Sequence, residues 1–275
     1  MLAPRHIFFT ALDGALLDPA SKAWNLAEPA LDELARRRVP LVLLTSGTRA
    51  QIEPLRRKLE HAHPFITESG GGLFLADGYF SLHLEGALRV ARYFCVPFGK
   101  PHTEAAAAVE EIAARADASV VGYSQMSPRE IASNTGLPLR DAELARQLEF
   151  SERFFFAGET EEAVRRFTAA ARADHWETRP DRPFWELFSG NDEGRAVRHL
   201  MRLYRQPRTR LSSVGIGSAT RDLPLLSAVD QAVVLPRRGG QGDPALLSHL
   251  SKPMLGEAAG PEGWSRAVLD VLERA

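Results

Sequence analysis

The chain has 275 residues, of which 44% are hydrophobic and 25% are charged, so we expect a folded protein with a sizeable core. Its 34 basic and 35 acidic residues nearly cancel, which argues against a nucleic acid or a membrane surface as partner. A single cysteine excludes a disulfide framework, and the lack of a signal peptide or a long apolar stretch predicts a soluble, cytoplasmic protein.

The N-terminal part of the chain alternates strand and helix patterns. Apolar strands are predicted at 6–12 and 39–44, and helices around Leu34 and Leu55 follow them. A strand, a glycine turn and a second strand are then predicted within 65–74. Alternation of this kind favours a parallel, doubly wound sheet.

The middle of the chain has a different pattern. Strands, helices and a hairpin are predicted there, at 92–98, 104–115, 120–123, 128–134, 139–148, 154–156 and 175–188. After residue 190 the alternation returns, with a helix around Val197, a strand at 212–216 and a closing helix at 263–274. We therefore predict a core domain of residues 1–88 and 186–275, with an inserted α+β cap domain at 89–185.

The segment from Ile7 to Asp18 is the most informative part of the sequence. An apolar strand ends in a glycine-containing turn that carries Asp13. Because open α/β sheets build their active sites at the carboxyl ends of strands, this turn is a candidate site.

This segment resembles the first motif of the haloacid dehalogenase (HAD) superfamily, Asp-x-Asp-Gly-Thr. Similarity to the HAD group with a large inserted cap, and within it to the mannosyl-3-phosphoglycerate phosphatase family, extends over 9–18, 45–49, 68–74, 122–137, 149–152, 194–197 and 215–226. The resemblance implies a HAD-like Rossmannoid core with an α+β cap. It also implies phosphatase activity that depends on magnesium.

The resemblance assigns the nucleophile to the position of Ala11 and the general acid/base to Asp13. An alanine methyl group cannot attack phosphorus, so the attacking carboxylate is missing from this chain. Asp13 has an alternative role as a residue that stabilises the turn before Gly14.

The second and third motifs of the family contact the phosphate. In the second motif either Thr45 or Ser46 supplies the hydroxyl, and helix capping is an alternative role for both. In the third motif the family has a lysine, whereas this chain has Glu193, which reverses the charge.

The fourth motif of the family binds magnesium. Here Ser218 replaces the main carboxylate ligand and Arg221 replaces an asparagine, while Asp222 remains as a remnant. Mg²⁺ prefers several oxygen ligands, and only Asp222 and the backbone carbonyl of Asp13 are left. We predict no catalytic magnesium and no other cofactor, with Arg221 paired to Glu193, Asp13 or Asp222 in the space of the metal.

Two further segments correspond to substrate-facing positions in the family. One is the glycine loop with Gly70 and Gly71, for which a plain tight turn is the alternative. The other is Tyr123, Ser124 and Gln125 in the cap, for which a helix-capping turn is the alternative.

Two functions remain open from the sequence. The first is a non-catalytic pseudophosphatase that binds a sugar-phosphate or glycerate-like metabolite, or a protein partner. The second is a residual or altered sugar-phosphate phosphohydrolase that uses Asp13 or Thr45 as nucleophile.

Overall fold

The computed structural model describes residues 6–81, 84–158, 160–181, 183–205, 211–237 and 239–274. Within these ranges the strands form a nine-stranded sheet and a four-stranded sheet. No helix in the described ranges is both long and apolar enough to cross a membrane.

The nine-stranded sheet carries the core domain. Its strands are β1 (His6–Ala11), β2 (Leu41–Leu44), β3 (Phe65–Thr67), β4 (Gly72–Ala76), β5 (Leu88–Val90), β6 (Tyr93–Pro97), β11 (Ser212–Gly217), β12 (Gln231–Val234) and β13 (Met254–Leu255). Their order is β13-β12-β11-β1-β2-β3-β4-β6-β5, and the pairs from β13 to β3 are parallel, whereas those from β3 to β5 are antiparallel.

Helices cover both faces of this sheet. They are α1 (Glu28–Arg37), α2 (Arg49–Lys58), α7 (Glu193–Tyr204), α8 (Leu223–Leu226), α9 (Pro244–Leu247) and α10 (Gly260–Glu273). Alternate residues of β1 point to opposite faces: Phe8 packs in the cluster with α1, α2 and α10, and Phe9 in the cluster with α7. The predicted doubly wound fold is confirmed.

The four-stranded sheet forms the cap. Its strands β7 (Val120–Gly122), β8 (Ser151–Phe156), β9 (Glu177–Asp181) and β10 (Phe184–Phe188) are antiparallel in the order β7-β8-β10-β9. The cap helices are α3 (His102–Arg115), α4 (Pro128–Thr135), α5 (Leu139–Ala145) and α6 (Glu161–Ala173).

Two sets of strand pairings differ from the predicted division of the chain at residues 88–89 and 185–186. The segment with β5 and β6, assigned mainly to a cap beginning at residue 89, extends the core sheet: β6 pairs with β4, and β5 pairs with β6. The strand β10, assigned in part to a core resuming at residue 186, belongs to the cap sheet. An antiparallel strand can join the edge of a sheet without a crossover helix, so no change in the helix pattern marks the sheet to which such a strand belongs.

Cys95 lies in β6, one of the strands that extend the core sheet. Cys95 is a free, fully buried thiol that pairs with Phe74 across β4 and β6. Its burial is therefore that of a core-sheet residue.

Candidate functional site

The strand tips of the core sheet meet beneath the β9–β10 hairpin of the cap. The strand β1 lies between β2 and β11, which is the switch point of the parallel sheet. A cavity of about 170 Å³ lies there, lined by Ala11, Leu12, Asp13, Leu44, Thr45, Ser46, Ser69, Arg179, Pro180, Asp181, Glu186, Glu193, Arg221 and Asp222. The structure thus brings together predicted residues from all four motifs.

The first motif contributes the methyl group of Ala11 and the carboxylate of Asp13, which already has a hydrogen-bond partner. Ala11 is the last residue of β1, pairs with Leu44 and is 8% exposed. Asp13 faces outward, and its Oδ1 accepts a hydrogen bond from Lys22 Nζ at 2.7 Å. Sequence reasoning gave Lys22 no role.

The turn after Asp13 requires its glycine. Gly14 has a φ of +77°, and its N–H donates to the carbonyl of Leu17. A β-carbon at this position would lie 2.7 Å from Ser218 Oγ, so the first and fourth motifs touch at this turn.

In the second motif, Thr45 and Ser46 both line the cavity. The Thr45 hydroxyl accepts the Gly47 N–H at 3.0 Å. The helix α2 is capped by Thr48, whose hydroxyl accepts the Gln51 N–H at 3.1 Å. The helix-capping alternative for Thr45 and Ser46 is therefore wrong, although both hydroxyls still lie at the cavity.

Glu193 is the first residue of α7 and is partly exposed to the cavity. Burial raises the pKa of its carboxyl group to about 8, and the nearby charge of Asp222 adds to this effect. Arg179 and Arg221 lower the pKa without cancelling the shift. At neutral pH the Glu193 side chain is therefore mostly uncharged.

Asp222 is occupied by backbone donors. Its Oδ2 accepts the N–H groups of Ser218 at 2.7 Å and Ala219 at 3.0 Å, and the residue is only 5% exposed. Burial raises the Asp222 pKa, while these two donors act in the opposite direction. The carboxylate thus holds the turn after β11.

Arg221 does not fill the space predicted for it. It is exposed at the rim of the cavity, and no ion pair among the described residues joins it to Glu193, Asp13 or Asp222. The physical reason is the short 3-10 turn at Thr220–Asp222: with Asp222 directed inward, its neighbour points outward.

Arg179, from cap strand β9, reaches the cavity instead. Its Nη2 donates to Ser69 Oγ at 2.7 Å and to Glu186 Oε2, which sits opposite it in the hairpin register. Arg179 lies within β9, which continues to Asp181. Opposite charges at paired positions of a hairpin were the available signal for this contact.

Gly70 and Gly71 do not line the cavity, contrary to the sequence prediction. A β-carbon on Gly70 would lie 2.2 Å from the backbone of Asp192, and one on Gly71 would lie 2.5 Å from Phe150. These glycines therefore allow close packing of the loop, while their neighbour Ser69 lines the cavity.

The three cap residues predicted to face substrate also lie outside the cavity lining. Tyr123 is buried with its ring against Phe184, and Ser124 donates through both its N–H and its hydroxyl to Glu152 Oε1. Gln125 donates to Glu110 at 2.9 Å. All three residues make these contacts within the cap.

The magnesium site implied by the resemblance does not fit these residues. Ala11 offers no side-chain oxygen, and the carboxylates of Asp13 and Asp222 already accept an ammonium and two backbone donors. In the described part of the chain, no group of three or more His, Cys, Asp or Glu residues is arranged to hold a metal. Such a donor set does not meet the octahedral oxygen coordination of Mg²⁺.

The chain is similar over most of its length to proteins named as phosphatases. It is 33% identical over 268 residues to a glucosyl-3-phosphoglycerate/mannosyl-3-phosphoglycerate phosphatase from Methanococcoides burtonii, covering 98% of this chain and 97% of that protein. It is 27% identical to a protein of the same name from Persephonella marina, with 97% of each covered. For a mannosyl-3-phosphoglycerate phosphatase from Pyrococcus furiosus, the identity is 27% over 84% of this chain and 90% of that protein. No family model matches.

Solved structures share the fold over the whole chain. A haloacid dehalogenase-like hydrolase from Bacteroides thetaiotaomicron has a TM-score of 0.67 at 14% identity, with 97% of this chain and 99% of that chain covered. A HAD subclass IIB sugar phosphatase has a TM-score of 0.64 at 13% identity, with coverages of 97% and 98%. These likenesses concern the core and cap architecture.

Proposed function

Because the chain belongs to the mannosyl-3-phosphoglycerate phosphatase family of the HAD superfamily, we propose that it is a non-catalytic member, a pseudophosphatase that binds a small metabolite in the cavity beneath its cap. The observation that carries this proposal is the tip of β1. A methyl group lines the cavity at Ala11, the position to which the resemblance assigns the attacking carboxylate.

The surrounding charges support the same proposal. The cavity is lined by five acidic residues and two arginines: Asp13, Asp181, Glu186, Glu193, Asp222, Arg179 and Arg221. Arg179 is already engaged by Glu186, and Arg221 stands at the exposed rim. A phosphate dianion would lose its water here without gaining a free buried cation.

The test is phosphate release. The purified protein is incubated with mannosyl-3-phosphoglycerate and with a general aryl phosphate, in the presence and absence of Mg²⁺. We expect release at the level of the protein-free control in all four mixtures. Turnover that requires Mg²⁺ and disappears in Asp13→Asn would instead make the protein a hydrolase.

A further inference from the structure

Glu186, on cap strand β10, has a carboxylate oxygen without a partner. The residue lines the cavity and is only 2% exposed. Its Oε2 accepts from Nε and Nη2 of Arg179, but Oε1 has no hydrogen-bond partner among the residues described. A buried acceptor left unpaired is destabilising, so a ligand that donates a hydrogen bond to it gains affinity.

The charged groups around this acceptor are already compensated. Asp13 pairs with Lys22, and Asp181 lies 3.7 Å from Arg153 Nη2. Glu186 pairs with Arg179, and Asp222 accepts two backbone N–H groups. Arg221 stands at the exposed rim, so an anionic or a cationic ligand inside the cavity would bring a charge that the buried groups do not offset.

Uncharged polar groups also line the cavity. Ser46 and Ser69 each present a hydroxyl group, as does Thr45. A hydroxyl rotates to donate or accept, so a ligand rich in hydroxyl groups matches these residues as well as Glu186.

The cavity is small. Its volume of about 170 Å³ lies below the roughly 300–1,000 Å³ of pockets that hold drug-sized molecules. A single sugar ring or a short polyol is of a size that suits this volume.

We propose that the cavity binds a small uncharged polyhydroxylated ligand, a free sugar or polyol, with Glu186 Oε1 accepting a hydrogen bond from a ligand hydroxyl group. This inference rests on the proposed function, because a working phosphatase of this family would have to bind a phosphate ester in the same place.

The experiment compares matched ligands. D-mannose is titrated against D-mannose 6-phosphate, and glycerol against glycerol 3-phosphate, with binding followed by calorimetry and by protein NMR shifts. We expect at least one uncharged compound to bind about tenfold more tightly than its phosphate ester. Phosphate release is measured in the same samples. Turnover, which would contradict the proposed function, is thus detected independently of ligand binding.

Variants of the cavity residues test whether the ligand binds there. Glu186→Gln is expected to weaken binding of the uncharged ligand by about tenfold. Its matched control, Glu177→Gln, changes an exposed residue of the same hairpin and should leave the affinity unchanged. If Glu186→Gln does not fold, as judged by circular dichroism, Thr45→Val takes its place because it removes another cavity hydroxyl.

Three outcomes overturn the inference: equal or tighter binding of the phosphate esters, no binding of any uncharged probe, or binding that neither cavity variant weakens. If the esters bind without phosphate release, the inference fails and the pseudophosphatase proposal stands.

Discussion

Ala11 and Asp222 both line the cavity, and each has a structural role there. Ala11, the last residue of β1, adds a methyl group to the wall of the cavity. Asp222 binds the N–H groups of Ser218 and Ala219 and thereby fixes the turn after β11. These two hydrogen bonds are a structural explanation for an aspartate at position 222.

Replacing Asp222 tests that explanation. Asp222→Ala should destabilise the protein by about 1–3 kcal/mol, because two buried N–H groups lose their acceptor. Asp222→Asn keeps one carbonyl oxygen and should recover part of the loss. Chemical denaturation with and without Mg²⁺ measures both. A loss that appears only when Mg²⁺ is present would instead indicate a metal ligand.

Glu193 makes stability depend on pH. Its pKa is about 8 in the folded protein and 4.5 ordinarily, so over this range the folded state holds a proton that the unfolded chain has released. The contribution of Glu193 therefore falls as pH rises, by up to about 1.4 kcal/mol per pH unit. Replacing Glu193 with glutamine, which does not ionise, removes this fall in stability with rising pH.

We therefore expect Glu193→Gln to gain stability relative to the wild type between about pH 5 and pH 8. Urea denaturation at several pH values measures the difference, with Glu177→Gln on the exposed face of β9 as control. Parallel curves for Glu193→Gln and the wild type would show that Glu193 ionises normally.

The sequence predicted these site residues in part. The resemblance assigned Ala11, Thr45, Glu193 and Asp222 to one site, and the structure brings all four to one cavity. The predicted pairing of Arg221 was wrong, because the 3-10 turn directs the adjacent side chains of Arg221 and Asp222 differently. Arg179 comes from another domain, and no local pattern links it to the core.

At the scale of elements, the loop between β3 and β4 connects the core to the cap. Glu68 in this loop is fully buried, and its carboxylate accepts the N–H groups of Glu149 at 2.8 Å and Phe150 at 2.9 Å and the Ser151 hydroxyl at 2.8 Å. Burial raises the pKa of Glu68 to about 7, against the opposing effect of these donors. One side chain thus holds the start of β8 against the core.

Glu68→Gln tests this contact. Glutamine keeps only one acceptor oxygen, so one of the three donors loses its partner, and we expect a destabilisation of about 1–3 kcal/mol. The amides of Glu149 and Phe150 should exchange with solvent faster. Hydrogen exchange measures this, and Glu143→Gln on the exposed face of α5 is the control. Unchanged protection of both amides would contradict the role given to Glu68.

Most elements followed from hydrophobic periodicity. The helices α1, α3, α7 and α10 and the strands β1, β2 and β11 lie where the apolar repeats predicted them, because each buries one face or is buried on both. The short elements α9, β5 and β13 were missed. Two to four residues do not establish a period, and tertiary contacts decide such segments.

At the scale of the whole molecule, the cap is fastened to the core by several polar contacts. They join Thr48 to Leu144, Arg49 to Glu149, Arg153 to Ser46, Arg179 to Ser69 and Asn191 to Phe150. The insertion of the cap could be predicted from the change in sequence pattern. Its boundaries could not, because β5 and β6 extend the core sheet by local pairing that resembles cap strands.

The most direct test of the account is a single-turnover reaction. The protein is mixed in excess over mannosyl-3-phosphoglycerate in the presence of Mg²⁺, and free phosphate and phosphorylated protein are followed over time. The positive control is a variant that combines four substitutions: Ala11→Asp, Glu193→Lys, Ser218→Asp and Arg221→Asn. We expect the wild-type chain to leave the substrate intact and to carry no phosphoryl group. Phosphate release by the wild type that depends on Mg²⁺, or a phosphorylated wild-type chain, would contradict it.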